Sequence, residues 1–187
     1  STPEDLPTSV FQVPISVERF YLRESLRALL HSILFHRLIG PIRPRVLELS
    51  SLDVSYARID DSDIERTVEE RITTFVKALD SSPTPPTLSV SFLMRQRRHS
   101  LFRGQYEEDV CWERWDVGVK LRTARNDAEH AQSKRVLERD LESALIRISQ
   151  LSNDTKEHIP AVNSLDNPPF PWNIVITAPT GFSSFFR

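Results

Sequence analysis

Glycine is scarce in this chain: Gly40, Gly104, Gly118 and Gly181 stand against thirteen prolines in 187 residues. Neither a phosphate-cradling loop nor a dinucleotide fingerprint can be assembled from glycines so far apart, because both need several within one turn. Cysteine is scarcer still. The lone Cys111 excludes an intramolecular disulfide and any multi-cysteine metal site, and a reducing compartment is the natural reading. A large charge of one sign is also missing. With 24 Lys and Arg against 26 Asp and Glu, the formal charge is −2, so no global field draws the chain to nucleic acid or anionic lipid. The most apolar stretch, 26–38, is broken by Arg27, His31, Ser32, His36 and Arg37, and it cannot span a bilayer. The opening residues read as a polar leader rather than a basic-then-apolar signal. The expectation is a flexible leader over 1–9 and one soluble, intracellular domain over 10–187.

What is present is a clean alternation of periods. Val13, Ile15 and Val17 alternate as a strand. Leu22, Leu26, Leu29, Leu30, Ile33 and Leu34 form one face of a helix over 18–37, which Gly40-Pro41 prevents from continuing. Leu47, Leu49, Leu52, Val54 and Tyr56 read as strand material with a bend at Ser50-Ser51. A second helix carries Ile64, Val68, Ile72, Phe75, Val76 and Leu79 on one stripe. Ser62 and Glu65 have the spacing of a capping box at its start. Leu88, Val90, Phe92 and Met94 form a strand, as do Trp115, Val117, Val119 and Leu121. A third helix spans 126–151, with Leu137, Leu141, Ala144, Leu145, Ile148 and Leu151 inward and Asn126 with Glu129 at capping-box spacing. A proline-rich passage over 160–171 leads into a last strand at Trp172, Ile174 and Ile176. The order β-α-β-α-β-β-α-β predicts an α+β domain with a mostly antiparallel sheet.

Catalytic equipment is hard to find. His31 and His36 are five apart on a helix, about 140° around its axis, so they cannot make the ligand pair that i, i+4 spacing allows. Asp60, Asp61, Asp63 and Glu65 suggest a divalent-ion loop only superficially. An EF-hand counted from Asp60 needs Gly at its sixth position and Glu at its twelfth, where this chain has Glu65 and Arg71. Helix capping accounts for these acids instead. Cys111, beside Trp112, reads as a small buried hydrophobe. No Gly-x-Ser-x-Gly elbow exists. The expected reading is non-enzymatic, with no cofactor.

The stretch 95–109 differs. Arg95, Arg97, Arg98, His99 and Arg103 precede Glu107, Glu108 and Asp109, with Leu101, Phe102 and Tyr106 between them. A hairpin loop closes in two to five residues, so one of about fifteen needs a reason. It can fold its aromatics back onto the body, protrude as a finger that offers apolar anchors to a protein, or touch nucleic acid. The acidic half cancels much of the local charge and weakens the last reading.

Several strings then carry a resemblance. Leu-Leu-His-Ser-Ile-Leu-Phe-His-Arg at 29–37, Ser-Tyr-Ala-Arg-Ile-Asp-Asp at 55–61 with the helix through Leu79, Leu-Ser-Val-Ser-Phe at 88–92, and Cys-Trp-Glu-Arg-Trp-Asp-Val at 111–117 resemble the autophagy-related protein 101 family in the same order. The resemblance runs from about 10 to 176, and Trp112-Glu113-x-Trp115 with the preceding basic hairpin is its most specific part. It implies a HORMA domain over 10–187, a mostly antiparallel sheet backed by three helices. It also implies an adaptor of the autophagy initiation kinase complex, in the cytoplasm at the preautophagosomal structure. Such an adaptor forms a heterodimer with the HORMA domain of autophagy-related protein 13, stabilises it, and recruits downstream autophagy factors. The family's recruiting finger carries Trp and Phe separated by one residue, positions that fall on Ser100 and Phe102 here. Leu101, Phe102 and Tyr106 are therefore the expected finger residues, and Phe35, His36 and Arg37 the expected pairing residues. The alternative is another HORMA regulator that binds a closure peptide.

Overall fold

The computed structural model describes residues 7–102, 104–162 and 168–178. The leader through residue 6 and the Phe182, Phe185 and Phe186 tail lie outside the described residues. Along the chain run β1 (Ser9–Glu18), a 3-10 turn (Arg19–Tyr21), α1 (Leu22–Arg37), β2 (Pro44–Glu48), β3 (Ser55–Ile59), α2 (Ser62–Ser81), β4 (Thr87–Ser100), β5 (Gly104–Arg122), α3 (Asp127–Asp154) and β6 (Trp172–Thr177). The main sheet has the order β1-β5-β4-β6. β1 runs parallel to β5, whereas β4 pairs antiparallel with both β5 and β6. The class is therefore α+β with a mostly antiparallel main sheet and three helices.

Periodicity explains why these segments pack as they do. Val13, Ile15 and Val17 face Val117, Val119 and Leu121 across the parallel pair, and α1 lies over this sheet between α2 and α3. Of the predicted stripes, Leu22, Leu26, Leu29, Leu30, Ile33 and Leu34 on α1, Val68, Ile72, Phe75 and Leu79 on α2, and Leu137, Leu141 and Ile148 on α3 are buried, whereas Ile64, Val76, Ala144, Leu145 and Leu151 are partly buried at the margin of the core. These side chains join the sheet in a single apolar cluster, so the helices hold their places through burial of one face each.

Three boundaries differ from the sequence pattern, and one cap agrees with it. The 47–56 segment is two strands rather than one bent strand, because Leu49 to Val54 turns the chain back and β2 pairs antiparallel with β3 in a separate small sheet. The first helix starts at Leu22, since Glu18 still belongs to β1 and a 3-10 turn intervenes. The cap of α2 is Asp61, not Ser62: its Oδ1 accepts the N–H groups of Asp63 at 2.8 Å and Ile64 at 3.1 Å, while Glu65 turns to Arg58. At α3 the Asn126 Oδ1 does accept the Glu129 N–H, and Glu129 reaches back to the N–H of Arg125.

The largest correction concerns 95–109, which is no irregular loop. β4 and β5 continue through it in register from Arg95↔Asp109 to Ser100↔Gly104. Hydrophobic alternation could not reveal these strands because both faces of the ribbon are polar; cross-strand charge pairs take the place of apolar ones. A bulge interrupts the ladder where Phe92 faces Glu113 and Leu93 faces Cys111. The extra residue, Trp112, lets two tryptophans three apart both turn inward, which a regular period of two forbids.

The same logic separates core from surface on the helices. Phe75→Ala, which empties a fully buried site, is expected to cost about 3–5 kcal/mol in urea unfolding. Ile146→Ala on the exposed side of α3 is expected to change stability by less than about 0.5 kcal/mol.

Candidate functional site

The finger begins where β6 stops. β6 pairs with β4 only through Phe92, and the eight residues from 93 to 100 carry the hairpin about 25 Å farther at the usual strand rise. Its shank is laced by charge. Arg95 lies 3.5 Å from Asp109 and 3.9 Å from Glu107, Arg97 lies 3.7 Å from Glu107, and Arg98 lies 3.2 Å from Glu108. Each such exposed pair contributes little, about 0–1 kcal/mol, but together they hold register in a ribbon with no apolar face of its own.

The turn is closed locally. Ser100 pairs with Gly104 across the strand end, and the Ser100 Oγ accepts the Phe102 N–H at 3.3 Å. Gly104 sits at φ +67°, the left-handed region that glycine adopts without strain. This tight tip leaves Leu101 92% and Phe102 97% exposed, side by side. Tyr106 lies on the shank opposite Arg98 and is 37% exposed. All three expected finger residues thus lie on one protrusion, Leu101 and Phe102 at its exposed tip and Tyr106 partly covered on its shank.

At the other expected site the residues separate. Phe35 and His36 are half-buried at the end of α1, their rings edge to face with centroids 5.3 Å apart. Burial lowers the His36 pKa, and the neighbouring Arg37 lowers it further, so the ring favours its neutral form. Arg37 points inward. Its Nε donates to both Glu113 oxygens at 2.8 and 2.9 Å, while its remaining nitrogens donate to the carbonyls of Ser152 at 2.8 Å and Thr155 at 2.9 Å. Any part Arg37 takes in a pairing surface is as the anchor beneath Phe35 and His36.

Glu113 is the residue that sequence reasoning missed. It has no exposed surface, yet it also accepts from the Trp115 indole N–H and contacts His158 Nε2 at 2.6 Å. His158 in turn lies near the rings of Phe11 and Trp112, at 6.0 and 5.8 Å. The signal was available: a carboxylate between two tryptophans on a strand must find buried partners. Trp115 is local, but nothing local identified Arg37 and His158, which come from α1 and from the segment after α3.

The remaining titratable groups do not converge. His130 contacts Glu18 at 2.6 Å, His99 lies on the finger, and His31 is buried in α1 with neither ring nitrogen hydrogen-bonded. Asp60 pairs with Arg45 and Asp63 with Arg66. Cys111 is half-buried rather than fully buried, and that burial raises its thiol pKa. Among the described residues no three His, Cys, Asp or Glu side chains come together as a metal set. No described helix is long and apolar enough to cross a membrane.

Glu113→Gln removes the charge that balances Arg37, and equilibrium unfolding is expected to show a loss of about 3–5 kcal/mol. His31, whose pKa burial and Arg58 lower to about 4, is neutral in the fold but protonated below about pH 6.5 when unfolded. Stability should therefore fall as pH drops from 6.5 towards 4, and His31→Leu should remove about 3 kcal/mol of that fall in parallel pH series.

Comparison with known proteins places this arrangement. The family model described as autophagy-related protein 101 matches residues 14–166. A relative of that name from Arabidopsis thaliana is 28% identical over 169 residues, covering 80% of this chain and 78% of the relative. Those from Xenopus laevis and Homo sapiens are 23% and 22% identical over 168 residues, each covering 82% of this chain and 77% of the relative.

Proposed function

Because the chain belongs to the autophagy-related protein 101 family, its role lies in autophagy, and we propose that it acts there as a non-enzymatic HORMA adaptor. Residues 10–187 form one HORMA domain that pairs with the HORMA domain of autophagy-related protein 13 and stabilises it within the initiation kinase complex. The adaptor works in the cytoplasm at the preautophagosomal structure, without a cofactor, and recruits downstream factors through its finger.

The observation that carries this reading is the tip itself. Two adjacent apolar side chains, Leu101 and Phe102, stand almost wholly in solvent on a hairpin whose turn is fixed by Gly104 and Ser100. Holding them there forgoes about 1.5–3 kcal/mol of burial for each side chain, which a partner's pocket can recover on binding. A short, hydrogen-bonded turn presents them with little conformational entropy left to lose. The scattered histidines and internally paired acids support an adaptor over an enzyme. Pairing through the end of α1 is supported by Phe35 and His36, which lie half-buried above the anchored Arg37.

The reading separates pairing from recruitment. Phe102→Ala is expected to leave the melting temperature and the complex with autophagy-related protein 13 unchanged. Capture of downstream factors by that complex should fall about tenfold or more, as for an interface anchor. Loss of the autophagy-related protein 13 complex in this variant would overturn the assignment of the finger.

A further inference from the structure

The finger has a second feature, distinct from its tip: among the described residues, one of its long edges is unpaired. Leu93 donates its N–H to the carbonyl of Pro171 at 2.8 Å, on the side where β6 pairs with the first half of β4. Backbone groups alternate in direction along a strand, so Arg95, Arg97 and His99 aim their N–H and C=O groups the same way. Beyond Phe92, no strand among the described residues pairs with that edge. No proline interrupts this half of β4, and its arginines guard it against a like-charged strand rather than an acidic one.

Two further observations say what fits there. Arg95 and Arg97 stand on the edge strand with side chains 57% and 86% exposed, and their contacts to Glu107 and Asp109 are loose, at 3.5 to 3.9 Å. Such pairs exchange partners at small cost. At the base of the edge, Met94, Pro168, Pro169, Phe170 and Trp172 line a groove of about 810 Å³. That space accepts an apolar side chain beside the strand. A second copy of the same edge would set arginines against arginines, which is unfavourable across a strand pair.

We propose that residues 93–99 are a docking edge for an extended acidic segment of a partner protein, which adds as a strand to β4. The segment's backbone completes the bare ladder at Arg95, Arg97 and His99. Its carboxylates meet Arg95 and Arg97, and one apolar residue enters the groove beside Trp172. Affinity comes from the main chain and selectivity from alternate side chains.

The test uses the full chain and the peptide acetyl-Asp-Val-Asp-Phe-Asp-Val-Asp-amide, with amide hydrogen exchange read by NMR. The Arg95, Arg97 and His99 amides are expected to exchange freely in the chain alone and about tenfold or more slowly with saturating peptide. Arg97→Pro removes one outward N–H at a position where an edge strand tolerates proline. It should abolish the slowing while the Gln96 amide, which faces β5, stays protected. A peptide N-methylated at alternate amides should also fail, and Phe102→Ala should bind the original peptide normally. The proposal is overturned if these amides are already protected without peptide, if the peptide does not slow them, or if the N-methylated peptide slows them equally.

Discussion

A carboxylate sealed from water, Glu113, joins three parts of the chain that are far apart in sequence. It sits on β5 and takes the Nε of Arg37 from the end of α1, the indole of Trp115 from its own strand, and His158 from the segment after α3. Arg37 spends its other donors on the carbonyls of Ser152 and Thr155, where α3 ends. A buried charge pair is weak grounds for stability in itself, because desolvation offsets much of the Coulomb attraction. What it imposes is geometry: neither charge can be left alone inside, so the ends of α1 and α3 must close on β5 together. The half-buried Phe35 and His36 owe their position to this closure.

The bulge at Trp112 depends on the same constraint. With Glu113 committed to Arg37, an extra residue allows Trp112 to turn inward against Phe92 and Phe170. From that point outward β4 and β5 leave the body, and apolar packing gives way to rows of opposite charge. One ribbon therefore has two regimes. Its inner half is fixed by burial in the common core, and its outer half by cross-strand pairs and a glycine-closed turn. A protrusion with an apolar tip, and an edge left unpaired among the described residues, suits the adaptor role proposed above, since either can change without disturbing the core that supports it.

Much of this was legible in the sequence where one face of an element is buried. The stripes on all three helices, the alternation of β1, and Asn126 as the α3 cap follow from period and capping chemistry alone. Legibility failed where apolar pattern no longer decides. The outer finger reads as loop because its strands lack an apolar face, and the 47–56 segment hides a reversal between two short strands. Asp61 displaced Ser62 as the α2 cap because a carboxylate competes well for the same N–H groups. Arg37 looked like a surface residue at a helix end; its partner lies 76 positions away, and no local spacing announces a contact of that range.

The central claim is that pairing and recruitment occupy separate surfaces of one rigid domain. Amide hydrogen exchange of the full chain, measured alone and with the HORMA domain of autophagy-related protein 13, tests it directly. The account predicts slowed exchange around Phe35, His36 and Leu38 in the complex, with the amides of Leu101 and Phe102 unchanged. Protection centred on Leu101 and Phe102, with the end of α1 unaffected, would contradict it.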